Sequence, residues 1–282
     1  MILENRYEIK GEIELITGLH IGSGQTSDRT EDPIIRDQLG RPLVPGSSFK
    51  GALRSTVEKL VSPLPRIKSC CLIQGNGCLS VNRGLQESYK QESDKIEFLQ
   101  SHLCDTCKLF GSPFLASKIR IPDLSVKEPW FEELFEIRDG VGIDRDTETV
   151  APEVKFDYEV VSSRAVFNFH IIGENLFPKD KFLLCVGLKE MVNGKAPLGG
   201  ITSRGLGFFK LKLKDVFFFE LRDLKNPGEI NIDKLLKYIQ GQSDEEKMER
   251  IDPEEFLRSS IVGFLEIIKR KKEGEEDVKR NL

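Results

Sequence analysis

The sequence predicts an α+β fold in which helices cover one face of an antiparallel sheet. Residues 7–15 alternate between apolar and charged side chains, which is typical of a half-buried strand. Residues 165–171 and 209–214 show the same alternation. The segment 47–60 places four apolar side chains at helical spacing, namely Phe49, Leu53, Val57 and Leu60. Because long strands outnumber the helices that interrupt them, we expect this sheet-and-helix class.

The other elements follow in chain order. A glycine-rich connection, GLHIGSGQTSD, leaves the first strand, and Ser47 or Ser48 is suited to cap the helix after it. Residues 63–112 break the pattern with prolines and five cysteines. The segment KFLLCVGLKE, residues 181–190, is predicted to form a further strand. From Leu221 onward we expect polar helices and a solvated, charge-rich end.

Composition limits the possible functions. A chain of 282 residues is long enough for one large domain or two small ones. The net charge of −4 provides no global positive field, so a nucleic-acid site must be a local patch. No signal pattern opens the chain and no apolar run reaches about 18 residues, so we expect a cytoplasmic protein without a membrane partner. In that reducing compartment the six cysteines indicate metal binding or burial, and burial is expected for Cys185.

Five of the cysteines suggest a metal site. Cys104 and Cys107 form a C-x-x-C turn, which supplies two of the four ligands that zinc prefers. The predicted set is Cys71, Cys78, Cys104 and Cys107. Cys70 is an alternative to Cys71, and His102 is a substitute ligand. With all four positions filled by the protein, such a zinc site is structural; buried free thiols or a redox pair are the other interpretations.

Two glycine-rich stretches suggest ligand contact to different degrees. GSGQTSD resembles the start of a phosphate loop, but no Gly-Lys-Ser/Thr follows it, which argues against nucleotide binding. The second stretch, residues 197–210, has glycines that allow close approach of a ligand, and its Arg204 can meet a phosphate. A tight turn between two strands is the alternative interpretation.

The segment 31–54 places an acid, Asp32, before a proline and upstream of a predicted helix start. Free amides at residues 47–50 and the helix dipole favour an anion such as a phosphate. Lys50 and Arg54 are one turn apart, so both can follow a sugar–phosphate backbone. Asp32 also has an ordinary interpretation, because Asp before proline is common in turns.

Several separate motifs resemble, in their order along the chain, the RAMP superfamily and specifically the backbone subunits of type III CRISPR effector complexes. They are TGLHIGSG (17–24), DPIIRD with GRPLVPGSSFKGALR (32–54), CDTCKLFGS (104–112), GVGIDRDTETV (140–150) with FDYEVV (156–161), and LGGITSRGLG (198–207). The resemblance spans about residues 7–215. The cysteine-bearing insertion is similar to that of the subgroup with a structural zinc.

The resemblance implies a ferredoxin-like (RRM-like) core with an inserted zinc-binding lid and a projecting β-hairpin, the thumb. The core then covers residues 1–222, including the lid at about 63–112 and the thumb at about 133–165, and residues 223–282 form a charged helical extension. Such subunits self-associate in a helical filament along a CRISPR RNA, together with other effector subunits. They cleave paired target RNA at regular intervals.

The resemblance also implies roles for individual residues. Asp32 is the expected catalytic acid, acting with Mg²⁺ or Mn²⁺, although its motif is Asp-Pro where the family more often has Asp-x-Pro. Ile143 or Val150 can wedge between bases; the alternative interpretation is a long hairpin whose charges are merely solvated. Predicted RNA-binding residues are Arg36, Ser47, Ser48, Lys50, Arg54, Arg138, Arg145, Gly199, Gly200 and Arg204. Unranked additional metal ligands are Glu31, Asp37, Asp144 and Asp146. His20 is expected to be a core or surface histidine, not a general base.

Two other functions stay open at this point. The chain can be an RNA-binding scaffold in which Asp32 is inert, or a metal-independent ribonuclease that processes CRISPR RNA. The latter type of enzyme usually relies on histidine or lysine pairs, and this chain has three scattered histidines. EDTA is expected to stop cleavage by a metal-dependent target nuclease and to spare a metal-independent processing enzyme. Loss of cleavage in Asp32→Ala, with RNA binding retained, distinguishes the target nuclease from the inert scaffold.

Overall fold

Strands and helices are mixed along the chain. The computed structural model describes residues 3–27, 30–70, 78, 98–99, 101–127, 135–221 and 231–280. The strands are β1 (Asn5–Leu15), β2 (Leu43–Val44), β3 (Ile119–Arg120), β4 (Leu124–Ser125), β5 (Phe135–Ile143), β6 (Val150–Val161), β7 (Val166–Glu174), β8 (Phe209–Glu220) and β9 (Glu249–Ile251). The helices are α1 (Gly46–Val61), α2 (Asp105–Phe110), α3 (Pro178–Val192), α4 (Ile232–Gln240), α5 (Asp244–Lys247) and α6 (Pro253–Arg280).

A five-stranded sheet in the order β3-β7-β1-β8-β9 forms the centre of the fold. Every neighbouring pair in it is antiparallel. The alternating side chains of β1 place Ile9 and Ile13 in the core, while the charged side chains of Lys10 and Glu12 between them face the other side. The antiparallel sheet predicted from alternation is thus confirmed, with β1 paired on both edges.

Helix α1 covers one face of this sheet through the apolar stripe that the sequence predicts. Phe49, Leu53 and Val57 are fully buried, and the Phe49 ring lies 5.2 Å from that of Phe169 on β7. Burial of one such side chain stabilises the fold by about 1.5–3 kcal/mol. Leu60, the last member of the predicted stripe, is exposed, and Val61 takes its place in the core.

The segment predicted as a strand at 181–190 is a helix, α3, so that prediction was wrong. The Asp180 carboxylate accepts from the Phe177 amide at 3.0 Å and so fixes the first turn. Gly187 lets α3 approach α1 closely, because a Cβ there would lie 2.6 Å from a methyl group of Val57. Most apolar side chains of α3, including Cys185, are buried, so its sequence has no polar face that reveals a helical period.

The described part of the chain beyond residue 222, residues 231–280, is mostly helical and also completes the core. Strand β9 hydrogen-bonds to β8 at the sheet edge. Helix α6 packs on α3, with the rings of Phe264 and Phe182 4.8 Å apart. Helix α4 covers the opposite sheet face, where the Tyr238 ring stacks on Phe219. Among the described residues, no helix combines the length and apolar character that a membrane span requires.

Strands β5 and β6 form a long two-stranded hairpin outside the central sheet. It occupies most of the segment predicted as a thumb. Its turn is closed by Asp144, whose Oδ1 accepts from the amides of Asp146 and Thr147 at 2.9 Å each. Ile143, just before the turn, is 64% exposed. The base of the hairpin reaches the core through Leu19, which exchanges main-chain bonds with Val161 at 2.8 Å.

Candidate functional site

The predicted catalytic acid lies beside a histidine. Oδ2 of Asp32 is 3.1 Å from Nε2 of His20. The main chain of Asp32 is held against β6, since its carbonyl accepts from the Glu159 amide at 3.0 Å. The side chain of His20 is 6% exposed and that of Asp32 is 50% exposed. In this pair, the His20–Asp32 dyad, the imidazole is therefore buried and the carboxylate in contact with it is half exposed to solvent.

The other ring nitrogen of His20 fixes the orientation of the imidazole. Nδ1 lies 2.7 Å from the carbonyl oxygen of Glu159. Because a carbonyl only accepts hydrogen bonds, Nδ1 carries the hydrogen of this contact. The ring also packs edge-on against Tyr158, with ring centroids 5.6 Å apart. Nε2 is consequently the nitrogen that faces Asp32.

The glycine-rich stretch 197–210 forms the backing of the dyad. The Gly200 amide donates to the carbonyl of His20 at 2.9 Å. Gly199 has a φ of +81°, and a Cβ at this position would overlap the same carbonyl oxygen. Gly22 leaves room for the Asp32 carboxylate in the same way, because a Cβ on Gly22 would lie 2.6 Å from Oδ1 of Asp32. Gly199 and Gly200, predicted to bind RNA, are exposed and lie against the main chain of His20.

Glu159 connects the loop of Asp32 to the hairpin. Its carboxylate accepts from the Ile34 amide at 3.2 Å and from Arg36 Nη2 at 2.5 Å. The Arg36 guanidinium also stacks on Phe135, 3.7 Å from the ring centroid. Arg36 was predicted to bind RNA. In the structure one of its guanidinium N–H groups binds Glu159 and its flat face packs on Phe135.

The other predicted metal ligands do not gather around Asp32. The Glu31 amide donates to Asp157 at 2.6 Å, and the Glu31 side chain is exposed. Asp37 pairs with Arg41 at 2.7 Å, while Asp144 and Asp146 lie at the hairpin turn. Within the described part of the chain, the one group of three or more close metal-ligand side chains is made of cysteines. Asp32 therefore offers a single carboxylate.

Three predicted RNA-binding arginines lie on accessible surface. Arg138, on β5, is 41% exposed and pairs with Glu136 at 2.9 Å. Arg145 is exposed in the hairpin turn. Arg204 is exposed at the end of a 3₁₀ turn and lies 5.8 Å from the Phe156 ring centroid on β6. Val150 begins β6, and its side chain lies outside the described part.

The start of α1 differs from the predicted anion site. The residue that caps the helix is Pro45, so neither Ser47 nor Ser48 caps it. The Gly46 amide donates to the Asp123 carboxylate at 2.8 Å, and the Ser48 amide donates to the Pro45 carbonyl at 3.0 Å. A carboxylate of the protein thus already occupies the positive end of the helix dipole. The prediction of free amides at this helix start is corrected accordingly.

Lys50 and Arg54 point toward the protein interior. Lys50 donates to the carbonyl of Ile119 at 3.1 Å, and burial lowers its pKa, as does the neighbouring Arg54 charge. Arg54 is 12% exposed and donates to Glu58 at 2.8 Å and to Cys107 Sγ at 3.1 Å. Their spacing matches the prediction, but their partners belong to the protein. A role in guide-RNA contact is therefore not supported for Arg54.

Four cysteine thiols converge next to α1. The cysteine cluster consists of Cys70, Cys78, Cys104 and Cys107, whose Sγ atoms all lie within 4.8 Å of one another. Sγ of Cys70 is 3.3 Å from that of Cys78, 3.4 Å from that of Cys104 and 3.6 Å from that of Cys107. Cys71, the first choice of the sequence analysis, lies outside the described residues. The fourth thiol of the cluster is the predicted alternative, Cys70.

The surroundings of the cluster favour a thiolate. A hydrogen bond from Cys107 lowers the pKa of the Cys104 thiol to about 4, and the Thr106 hydroxyl contributes in the same direction. Cys104 also caps α2, accepting from the Cys107 amide at 3.4 Å. His102, the substitute ligand, instead stacks on Phe98, with ring centroids 3.7 Å apart. Within the cluster, the C-x-x-C turn is thus held in place by its own local hydrogen bonds.

Sequence reasoning did not predict the pairing of His20 with Asp32 or the contribution of Glu159. His20 was expected to be a core or surface histidine, and Glu159 was not singled out. One signal was available for His20, which lies at an apolar strand end between closely spaced glycines. A buried imidazole in such a place needs a polar partner. The acid 12 residues downstream, Asp32, is that partner.

Comparisons with known proteins place these features in a family. Protein family models identify the "RAMP superfamily" in residues 12–210. A protein of Methanocaldococcus jannaschii named "CRISPR system Cms endoribonuclease Csm3" is 26% identical over 235 residues, 77% of this chain and 82% of that protein. The protein of the same name from Enterococcus italicus is 26% identical over 216 residues, 75% of this chain and 92% of that protein.

A third relative is more similar over a shorter stretch. The protein of that name from Methanothermobacter thermautotrophicus is 47% identical over 62 residues, 21% of this chain and 25% of that protein. The family model itself extends from within β1 to the start of β8 and covers more than half of the chain. It includes the dyad, the cysteine cluster, the hairpin and the glycine-rich stretch. The chain belongs to the RAMP superfamily.

Proposed function

We propose that the chain is a CRISPR RNA-binding backbone subunit of a type III interference complex and that it cleaves paired target RNA through Asp32. The observation that carries this proposal is the His20–Asp32 dyad. It holds a half-exposed carboxylate on a loop between the central sheet and the hairpin. Three relatives are named endoribonucleases, which supports an RNA-cleaving activity at this carboxylate.

The topology supports a ferredoxin-like core. Strands β3, β7, β1 and β8 are neighbours in this order, with α1 between β1 and β3 and α3 between β7 and β8. This is a β-α-β-β-α-β arrangement with both helices packed into the same core. In the proposed assembly the cysteine-bearing insertion is a zinc-binding lid and the β5–β6 hairpin is the thumb. The segment after residue 222 is an extension that adds β9 and α6 to this core.

The cysteine cluster fits a structural zinc. Four thiolates at zinc–sulfur distances of about 2.3 Å enclose the ion in a tetrahedron, in which the sulfurs are about 3.8 Å apart. The sulfurs of Cys70 already lie 3.3 to 3.6 Å from the other three. In the proposed site a zinc ion cross-links Cys70, Cys78 and the C-x-x-C turn. All four positions are filled by the protein, so the ion's role is structural.

Asp32 fits a divalent cation that is shared with the substrate. Mg²⁺ is usually bound through one or two carboxylates plus substrate phosphates and water, and Mn²⁺ uses similar oxygen ligands. One half-exposed carboxylate therefore suffices on the protein side. When bound, the cation neutralises developing negative charge at the scissile phosphate. Asp32 contributes an oxygen ligand for the cation or orients the ribose 2′-hydroxyl of the target.

The guide and target RNA contact the exposed cations in this proposal. Arg138 and Arg145 on the hairpin and Arg204 beside its base are accessible arginines among the predicted contacts. Contacts to phosphate and RNA shape suit a subunit that must accept any guide sequence. Self-association along the guide and contact with other effector subunits then repeat this surface at regular intervals. The cuts in the target are expected at the same interval.

A cleavage assay with the assembled complex tests the proposed function. The complex is purified with its guide and incubated with complementary RNA, with Mg²⁺ or with EDTA. We expect cuts at a regular spacing with Mg²⁺ and none with EDTA. Binding of the target without any cut would indicate the scaffold function instead. Cleavage that persists in EDTA would indicate a metal-independent ribonuclease.

A further inference from the structure

The two ring nitrogens of His20 have different partners. Nδ1 of His20 gives its hydrogen to the carbonyl of Glu159 at 2.7 Å. The other nitrogen, Nε2, faces the carboxylate of Asp32. Nε2 and Oδ2 are 3.1 Å apart, within hydrogen-bond distance, so this contact holds the carboxylate.

The imidazole is a firm support for this bond. It is held on its Nδ1 side by Glu159, on its edge by Tyr158 and at its own carbonyl by the Gly200 amide. The side chain is 6% exposed, so the ring has little freedom to turn. Asp32, in contrast, is half-exposed on a loop, where an unsupported carboxylate samples several rotamers.

We infer that His20 is a positioning residue, whose contact through Nε2 holds one oxygen of Asp32 and leaves the other toward the RNA. This inference rests on the proposed function of Asp32. The second oxygen, Oδ1, lies where a side chain on Gly22 would come within 2.6 Å of it. Glycine at that position keeps Oδ1 uncovered. The dyad and Gly22 together therefore define one accessible oxygen in one orientation.

Positioning of this kind acts on rate, not on affinity for RNA. A catalytic group that is held in its reactive orientation avoids the loss of rotational freedom at the moment of reaction. A residue that only supports such a group typically changes activity by about 10- to 100-fold when it is replaced. His20 is buried behind Asp32, so its replacement is expected to leave RNA binding unchanged.

Two substitutions separate positioning from packing. In His20→Gln the side-chain amide places an N–H near the position of Nε2, but it lacks the ring. In His20→Phe the ring is kept for contact with Tyr158, but both nitrogens are lost. We expect target cleavage by the assembled complex to fall about 10- to 100-fold in the Phe variant and to be largely restored in the Gln variant. His20→Leu serves in place of the Phe variant if the larger ring prevents folding, as judged by thermal unfolding.

The outcomes are distinct. Wild-type cleavage by a folded Phe or Leu variant would overturn the inference, and so would equal loss in the Gln and Phe variants at unchanged RNA binding. Asp32→Asn is measured in the same assay. If Asp32→Asn cleaves normally, the proposed function fails, whatever the His20 variants do. If Asp32→Asn is inactive and His20→Phe is fully active, only the positioning role of His20 fails.

Discussion

Arg54 of α1 donates from Nη2 to Sγ of Cys107 across 3.1 Å, so the cysteine cluster is joined to a core helix. The same guanidinium donates to the Gly111 carbonyl at 2.9 Å and to Glu58 at 2.8 Å. Burial acts to lower the pKa of Arg54, but the hydrogen bonds to Glu58 and Cys107 outweigh it and raise the pKa above its usual value. A positive charge therefore lies against the cysteine cluster, where it would compensate the negative charge of the thiolates in the proposed zinc site.

Zinc content tests the cysteine cluster itself. We expect about one zinc per chain in the purified protein, and near zero in Cys104→Ser, because the variant loses the thiolate that the C-x-x-C turn favours most. Elemental analysis measures both. Cys185→Ala is the matched control, since Cys185 is a buried thiol in α3, away from the cluster. Full zinc retention by Cys104→Ser would refute the site.

Arg54 is expected to support zinc binding from outside the ligand set. In Arg54→Met the hydrogen bond to Cys107 and the compensating charge are lost, so zinc affinity should fall about 10- to 100-fold. Competition with a chromogenic chelator gives the affinity. Glu58→Gln is the control, because it weakens the ion pair of Arg54 and keeps its contact with the thiol. Equal affinities in Arg54→Met and the wild type would contradict this role.

Salt dependence of guide binding distinguishes exposed from interior cations. On single strands each lost phosphate contact lowers the slope of log affinity against log salt by about 0.7. We expect such a decrease for Arg145→Ala and for Arg204→Ala, which are exposed, and none for Arg54→Met, which is 12% exposed. Filter binding of guide RNA at several salt concentrations provides the slopes. A change in slope for Arg54→Met alone would favour the original assignment of that residue.

The glycine behind His20 can be tested with an internal control. Gly199 and Gly205 both have positive φ, +81° and +92°. An alanine at either position costs about 1–2 kcal/mol of stability through backbone strain. A Cβ at Gly199 also overlaps the His20 carbonyl, whereas a Cβ at Gly205 meets open space. We therefore expect Gly199→Ala to unfold at lower temperature and to cleave more slowly than Gly205→Ala. Equal behaviour of the two would show that Gly199 does not support the dyad.

The sequence predicted the sheet better than the site because alternation is a local property. Ile9 and Ile13 reveal their common face without knowledge of any other strand. In α3 burial on nearly all sides removed the polar residues that mark a helical period, and the helix was predicted as a strand. The close packing of Gly187 against α1 explains why residues 181–190 form a buried helix. This packing is a tertiary contact, which the local sequence does not reveal.

The site residues show the same division. Lys50 and Arg54 lie on one face of α1, as their spacing predicts, but spacing does not reveal that this face meets the cysteine cluster. Cys70 and Cys71 are adjacent, so the sequence left both open. His20 is 12 residues before Asp32, and only the fold of the connecting loop brings the two side chains together. Long-range pairs of this kind have no local pattern.

The rate of target cleavage by Asp32→Asn tests the central claim most directly. The asparagine keeps the size of Asp32 and removes its negative charge, so packing on the loop is preserved. The assembled complex, its guide and Mg²⁺ are kept constant, and binding of target RNA is measured beside single-turnover cleavage. Because a positioned catalytic group contributes about 10²- to 10⁴-fold in rate, we predict a loss of that size at unchanged target affinity. Cleavage by Asp32→Asn at the wild-type rate and the wild-type positions would contradict the account.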